Sequence, residues 1–389
     1  MIADIGFIVF LLTAIFYINL KWAKSHKYTA IQTKCLFFLW FYHLTISLVF
    51  YQYILVHGGD SWRYWNIVES GETSMGNWFH LFGTGTAFIY WFNCPFSQIA
   101  GLGYLSGTIL YASLSYFGFL LAFDLLKKSF PQFSKKTYAH PAFLTLLLPN
   151  VHFWSVGVGK ESFLWLGLVL VLAGIYRFPN KFYLILLGLL LSLMTRPIQG
   201  LALSISVLMV IPFHEKLKPY RNKVFPVSIL LILSIFAYRY IKGSLIYGFN
   251  LKWITDLLDW QRNFLASFGG ASSINMNDYS WYEKLITIFF RPFVWEVDGF
   301  WSIAAAMENV VVLSVFLLGV WSFFQLRGQF KISLYLWTVL IYGIIISLLF
   351  SLTLNNLGII MRMKSIYFPF FSIIALHLFY KVAKVKVEK

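Results

Sequence analysis

Long apolar runs constrain this chain more than any other feature. Residues 35–56, 102–123, 302–325 and 332–352 are each predominantly apolar over about 20 residues, the length that crosses a bilayer as an α-helix. Further apolar segments lie at 2–20, 141–156, 162–178, 182–195, 198–213, 224–241 and 366–380. The pattern predicts an all-α polytopic transmembrane bundle of about 11 spans. Segments 141–156, 182–195 and 198–213 are short and end near Pro149, Gly157, Gly159, Pro197 and Gly200. Such spans are expected to stop within the membrane around a cavity, because irregular backbone at that depth must be covered by protein or water.

The charges follow the same division. Lysines and arginines cluster at Lys21–Lys34, Lys127–Lys136, Arg177–Lys181, Lys216–Lys223, Arg327–Lys331 and Lys381–Lys389, and these clusters hold most of the 31 Lys and Arg. A Lys/Arg excess in short loops marks the cytoplasmic side, so the N-terminus is expected outside and the C-terminus in the cytoplasm of the inner, cytoplasmic membrane. The other side receives all but three of the 15 acids, the exceptions being Asp124, Glu215 and Glu388. Charged residues make up only 12% of the chain, about half the share of a soluble protein. The net charge of +16 is spread over inner loops beside anionic lipid, so membrane lipids rather than nucleic acid are the expected partners.

The chain reads as one integral membrane domain, 1–389, with two long outside loops at about 57–101 and 242–300. In the first, the patch Phe88–Ile99 is interrupted by Pro95 and is expected to lie at the interface or re-enter. In the second, Ile254, Leu257, Leu258, Leu265 and Phe268 share one helical face behind Thr255, the pattern of a capped interfacial helix, with Gly269–Ser273 as a flexible turn. Cys35 and Cys94 fall near opposite faces, which argues against a disulfide, and neither has a metal-ligand spacing. The first span has no basic n-region and no small-residue cleavage site, so it reads as retained.

Five outside motifs carry candidate chemistry. His57-Gly58-Gly59-Asp60-Ser61-Trp62-Arg63-Tyr64-Trp65 presents Asp60 at a glycine turn, suited to a general base, with His57 and Tyr64 beside it and rings able to stack on a sugar. An interfacial aromatic belt would use the same residues. Lys160 and Glu161 close the hairpin that begins at Pro149; ions beside an apolar helix must pair or face water. Arg196 ends one short span before Pro197, and a guanidinium there suits a phosphate, or simply snorkels to the interface. Arg291 and Glu296 are spaced to form an ion pair that orders the second loop, and Glu308 follows inside an apolar run, expected to face a cavity or a partner. Arg362 and Lys364 sit on the outside face against the usual bias, which points to an anionic ligand such as a lipid phosphate. No G-x-x-x-x-G-K-[ST] or H-E-x-x-H occurs, which argues against ATP hydrolysis and zincin chemistry. No cofactor is expected, and with no acid pair at D-x-D spacing in the first outside loop a divalent metal is left open without direct support.

The segments G-D-S-x-x-Y (Gly59–Tyr64), P-x-x-x-F-W-S-x-G-x-x-K-E (Pro149–Glu161), R-P-F-x-W-E (Arg291–Glu296) and N-L-G-x-x-x-R-x-K (Asn356–Lys364) resemble multi-pass proteins of bacterial surface-polysaccharide biosynthesis. More broadly, the chain is similar to GT-C glycosyltransferases, which use polyprenyl-phosphate sugars at the outer membrane face. That resemblance implies Asp60 as the acid serving the acceptor, a glycan or a lipid. It implies Lys160, Arg196, Arg291 or Arg362 as donor-phosphate ligands. Asp60 follows the second span rather than the first, so one extra leading helix is needed. The paired acids of that group are missing, which leaves an O-antigen-type polymerase using polyprenyl-diphosphate substrates as an alternative. A transporter or flippase of lipid-linked saccharide and a non-catalytic assembly subunit are the readings from other classes.

Overall fold

The computed structural model describes residues 2–67, 78–130, 140–233, 256, 273–276, 278–328 and 330–387. The interfacial helix expected over 254–268, the flexible turn after it and the far half of segment 224–241 lie almost wholly outside the described residues. The described residues are helical, and their only strand-like pairing is an isolated bridge between Ser273 and Asn356. Among the described residues five helices are long and apolar enough to cross a membrane, or up to seven if each of two bent pairs is one span. Tertiary contacts divide the chain into two compact units, Met1–Leu201 and Ala202–Lys389.

The first unit is built around α5 (Tyr104–Ser129), whose most apolar stretch is 89% buried. Packed on it are α1 (Ile2–Ser25), α2 (Ala30–His57) and α8 (Lys160–Tyr176). α8 pairs in turn with α9 (Phe182–Thr195). Glycines make that pairing close. A methyl on Gly188 would collide with the carbonyl of Gly167, and one on Gly174 would strike Ile185. Small residues of this kind let helix backbones approach where packing, rather than the hydrophobic effect, must hold helices together.

Segment 141–156 does not form one span. It becomes two short helices, α6 (Pro141–Thr145) and α7 (Pro149–Ser155), with Leu148 extended between them. Pro149 lacks an N–H and bars its predecessor from helical geometry, which explains the break. Pro95 acts differently from expectation. Instead of interrupting the chain, it opens a π-helical turn, Pro95–Ile99, directly after α4 (Thr86–Cys94). Both cysteines are buried and unbridged.

Contacts also fix which ends of the first unit coincide. At one end Asp4 of α1 accepts hydrogen bonds from the Gly103 backbone N–H (2.7 Å) and the Ser106 hydroxyl (2.8 Å) at the start of α5. At the other end Lys127 of α5 donates to the carbonyls of His26 (2.9 Å) and Lys27. There the buried Asp124 carboxylate binds Lys128 at 2.9 Å and also binds Arg177. One end therefore collects Lys127, Lys128 and Arg177 around one acid. The opposite end receives Asp4, the C-terminus of α2, the N-terminus of α8 and the C-terminus of α9.

The division between the units falls within α10 (Pro197–Val210), and this helical stretch bends by 81° into the segment Glu215–Leu233. Four further helices follow: α11 (Trp281–Phe290), α12 (Phe300–Gln325), α13 (Leu334–Thr353) and α14 (Leu357–Lys364). The last, α15 (Phe368–Val387), leaves α14 at 57°. α12 packs on α15, with Gly319 against Ala375, and Tyr367 and Ser347 share a buried hydroxyl hydrogen bond of 2.9 Å.

Candidate functional sites

The first cluster lies at the acidic end of the first unit. Gly58 and Gly59 both hold positive φ (73° and 144°), which only glycine adopts without strain, and they turn the chain from α2 into α3 (Asp60–Trp65). Asp60 is exposed in the first turn of this helix, and Tyr64 lies one turn further along the same face. His57 is exposed, stacks on Tyr53 at 4.4 Å and lies 3.0 Å from the Tyr53 carbonyl through Nδ1. A carbonyl only accepts, so Nδ1 carries the proton, and in the neutral ring Nε2 is an acceptor.

The ammonium of Lys160 sits 5.8 Å from the centre of the Tyr64 ring. Lys160 is the first residue of α8, and Gly157 just before it admits the Phe50 ring where a side chain would stand. The next residue, Glu161, is buried and ion-paired with Arg196 at the end of α9. The antiparallel α8–α9 hairpin accounts for this pairing. The sequence places the two residues 35 apart, and the hairpin returns the chain to the same end. Tyr64, Lys160, Glu161 and Arg196 are thus gathered from three elements. A lysine ammonium, a half-buried guanidinium and the positive end of a 17-residue helix meet there, and of the carboxylates at this end Glu161 pairs with the guanidinium.

A second cluster is centred on Arg291 in the second unit. Its Nε donates to Glu296 at 2.9 Å, and Nη1 donates to the Tyr279 hydroxyl at 2.8 Å. Burial works against the arginine charge, but these hydrogen bonds outweigh it and hold the Arg291 pKa above the ordinary arginine value. Glu296 also accepts from the Phe293 backbone N–H at 2.9 Å, so the expected Arg291–Glu296 pair closes the turn around Pro292.

Lys364 is placed differently from expectation. It is buried, and it donates to the carbonyls of Phe289 (3.1 Å) and Arg291 (2.9 Å), so it braces the turn that bears Arg291 instead of standing at a surface. Glu308 of α12 acts electrostatically on Lys364, and its neighbour Asn309 donates to the Pro292 carbonyl at 3.0 Å. Arg362 is half-buried in the last turn of α14.

Several supporting residues carried no sequence signal. The buried amide of Asn93 donates to the Tyr64 carbonyl and accepts from the Tyr111 hydroxyl, each at 2.7 Å. Tyr279 and Asn309 lie outside every motif noted above. Among the described residues, no group of three or more His, Cys, Asp or Glu side chains could hold a metal ion.

The class that fold and clusters define is a helical protein with, among its described residues, five to seven helices long and apolar enough to cross a membrane. Comparisons with protein-family models, curated proteins and solved structures find no match to it.

Proposed function

We propose that the protein is an integral membrane glycosyltransferase of surface-glycan assembly, acting at the outer face of the cytoplasmic membrane on a polyprenyl-phosphate-linked sugar. In this reading the chain crosses the membrane about 11 times, with the Lys127–Lys128–Arg177 end of the first unit in the cytoplasm. The observation that carries the reading is that Asp60 opens the helix bearing Tyr64, whose ring meets Lys160, next in sequence to the Glu161 that pairs with Arg196. A sugar ring stacks on aromatic faces, and a lipid phosphate takes the cations.

The chemistry follows from these roles. Asp60 removes the proton from the acceptor hydroxyl as its oxygen attacks the anomeric carbon. The bond from that carbon to the phosphate oxygen breaks, and the electron pair leaves with the polyprenyl phosphate. Lys160 and Arg196 neutralise the charge that develops on the departing phosphate. An alternative site for the phosphate within the second unit would use Arg291 and Arg362 instead.

The test is turnover in nanodiscs with polyprenyl-phosphate and polyprenyl-diphosphate sugars, comparing the native chain with Asp60→Asn. Sugar transfer with release of the monophosphate carrier, lost in the variant while folding is retained, is the expected result. Preference for the diphosphate carrier would move the assignment to a polymerase. Normal product from Asp60→Asn would remove the proposed base.

A further inference from the structure

α3 cannot hold itself in place. It has six residues, far fewer than a helix needs for stability of its own, and its N-terminal cap is a glycine with no side-chain hydrogen bond. Its direction, and hence that of Asp60, must come from outside the helix.

The supports converge on it from the start of α5 and from α4. The buried Tyr104 hydroxyl donates to the Ser61 hydroxyl at 2.8 Å, next to Asp60 in sequence. The Tyr104 ring is itself fixed by stacking on Tyr51 at 5.5 Å. At the far end of α3, the fully buried Trp65 donates its indole N–H to the Leu102 carbonyl at 2.7 Å, over Gly107, where a side chain would collide with the indole. Asn93 ties the Tyr64 carbonyl to Tyr111.

The start of α5 is secured in turn by α1. Asp4 binds the Gly103 N–H and the Ser106 hydroxyl on either side of Tyr104. A carboxylate so placed satisfies amide and hydroxyl donors of a helix start that has no cap of its own. A line of contacts therefore runs from Asp4 through Gly103 and Ser106, which flank Tyr104, and from Tyr104 to Ser61, the residue next to Asp60.

We propose that Tyr104, Ser61 and Asp4 are positioning residues that aim Asp60, with α1 part of the site's framework. The inference rests on the proposed role of Asp60 as base. None of the three touches substrate. Their effect is expected on the attack step, which is sensitive to displacements of the order of 1 Å, and not on substrate affinity.

Two measurements test this. In nanodisc turnover, Tyr104→Phe keeps the ring and removes one hydroxyl. It should lower kcat by on the order of tenfold with KM little changed. Tyr104→Phe and Ser61→Ala delete the two halves of one hydrogen bond, so the double variant should be no worse than the poorer single one. Asp4→Ala should also lower kcat.

The second readout needs no activity. A spin label on Asp60→Cys, in a chain with Cys35 and Cys94 replaced by Ala, should be immobile with Tyr104 present. It should gain a fast-moving component in the Tyr104→Phe variant, well below the unfolding temperature. If Asp60→Asn is inactive while Tyr104→Phe has native kcat and an unchanged label spectrum, the positioning role is overturned and the base assignment stands. If Asp60→Asn is fully active, the base assignment falls, and the label spectrum alone decides whether Tyr104 orders α3.

Discussion

The two units handle charge in opposite ways. In the first, charge is driven to the two ends of a bundle whose central helix is 89% buried along its apolar stretch, and each end contains a carboxylate sealed from solvent: Asp124 at one, Glu161 at the other. In the second, the corresponding stretch of α12 is only 22% buried, and the polar residues gather on one turn, Phe289–Glu296. The ion pairs differ accordingly. The side chains of Arg196 and Glu161 are 24% and 3% exposed, against 17% and 22% for Arg291 and Glu296. The first arrangement makes a cationic locus beside an aromatic ring and an exposed acid. The second makes a braced arginine whose own acid accompanies it. This contrast is why the proposed chemistry is centred on the first unit.

The largest effect should come from breaking the sealed pair. Arg196→Ala leaves Glu161 buried without its partner and is expected to cost about 3–5 kcal/mol, read as a lower denaturant midpoint in detergent. A loss no greater than that of the Glu296 variant below would erase the distinction between the two units. Next comes the α8–α9 contact. Gly188→Ala presses a methyl against backbone and should cost about 1–3 kcal/mol. Gly343→Ala of the second unit would press on the Phe371 ring and on the buried Tyr367, and should cost a similar amount.

Glu296→Gln comes third, at about 1 kcal/mol or less, since both partners keep contact with solvent and the amide retains an acceptor for Phe293.

The smallest effect concerns pH. Hydrogen bonds from the Ser280 hydroxyl and backbone N–H hold the Glu283 carboxyl below its ordinary pKa of 4.5 at the start of α11. A depressed folded-state pKa contributes stability above the unfolded value and loses it as pH falls through the folded one. The α11 cap should therefore be unaffected between pH 7 and pH 5. It should weaken in more acid solution, and Glu283→Gln should remove that sensitivity, as followed by hydrogen exchange of the first turn.

Much of the first unit could be read in the sequence because charge sorting is a one-dimensional signal. Lys127, Lys128 and Arg177 all fall in short joints between apolar runs, and the contacts among these joints keep them at one end. The pairing of Glu161 with Arg196 was within reach for a physical reason: a short turn between two apolar helices returns the chain, so the residue starting one faces the residue ending the other. The burial of Lys364 was not legible, because in a short polar stretch nothing distinguishes a cation that meets a ligand from one that braces the backbone. Only its folding against the carbonyls of Phe289 and Arg291 buries it, and that contact joins residues more than seventy positions apart. Asn93 and Tyr104 gave no signal either, since a buried polar residue in an apolar run acquires meaning only from its partner. The break between α6 and α7 was visible as Pro149, which was read as marking the end of a short span rather than as dividing the segment 141–156 into two helices.

On the proposed reading the lipid phosphate sits at the Lys160 end of the first unit. The most direct test is the binding of polyprenyl phosphate, without sugar, to the purified chain in nanodiscs, comparing the native protein with Lys160→Gln and with Arg291→Gln. The account predicts that Lys160→Gln weakens binding by about tenfold or more, the cost of a lost charge-assisted contact, while Arg291→Gln has the smaller effect. Unchanged binding by Lys160→Gln with loss in Arg291→Gln would contradict it and transfer the phosphate site to the second unit.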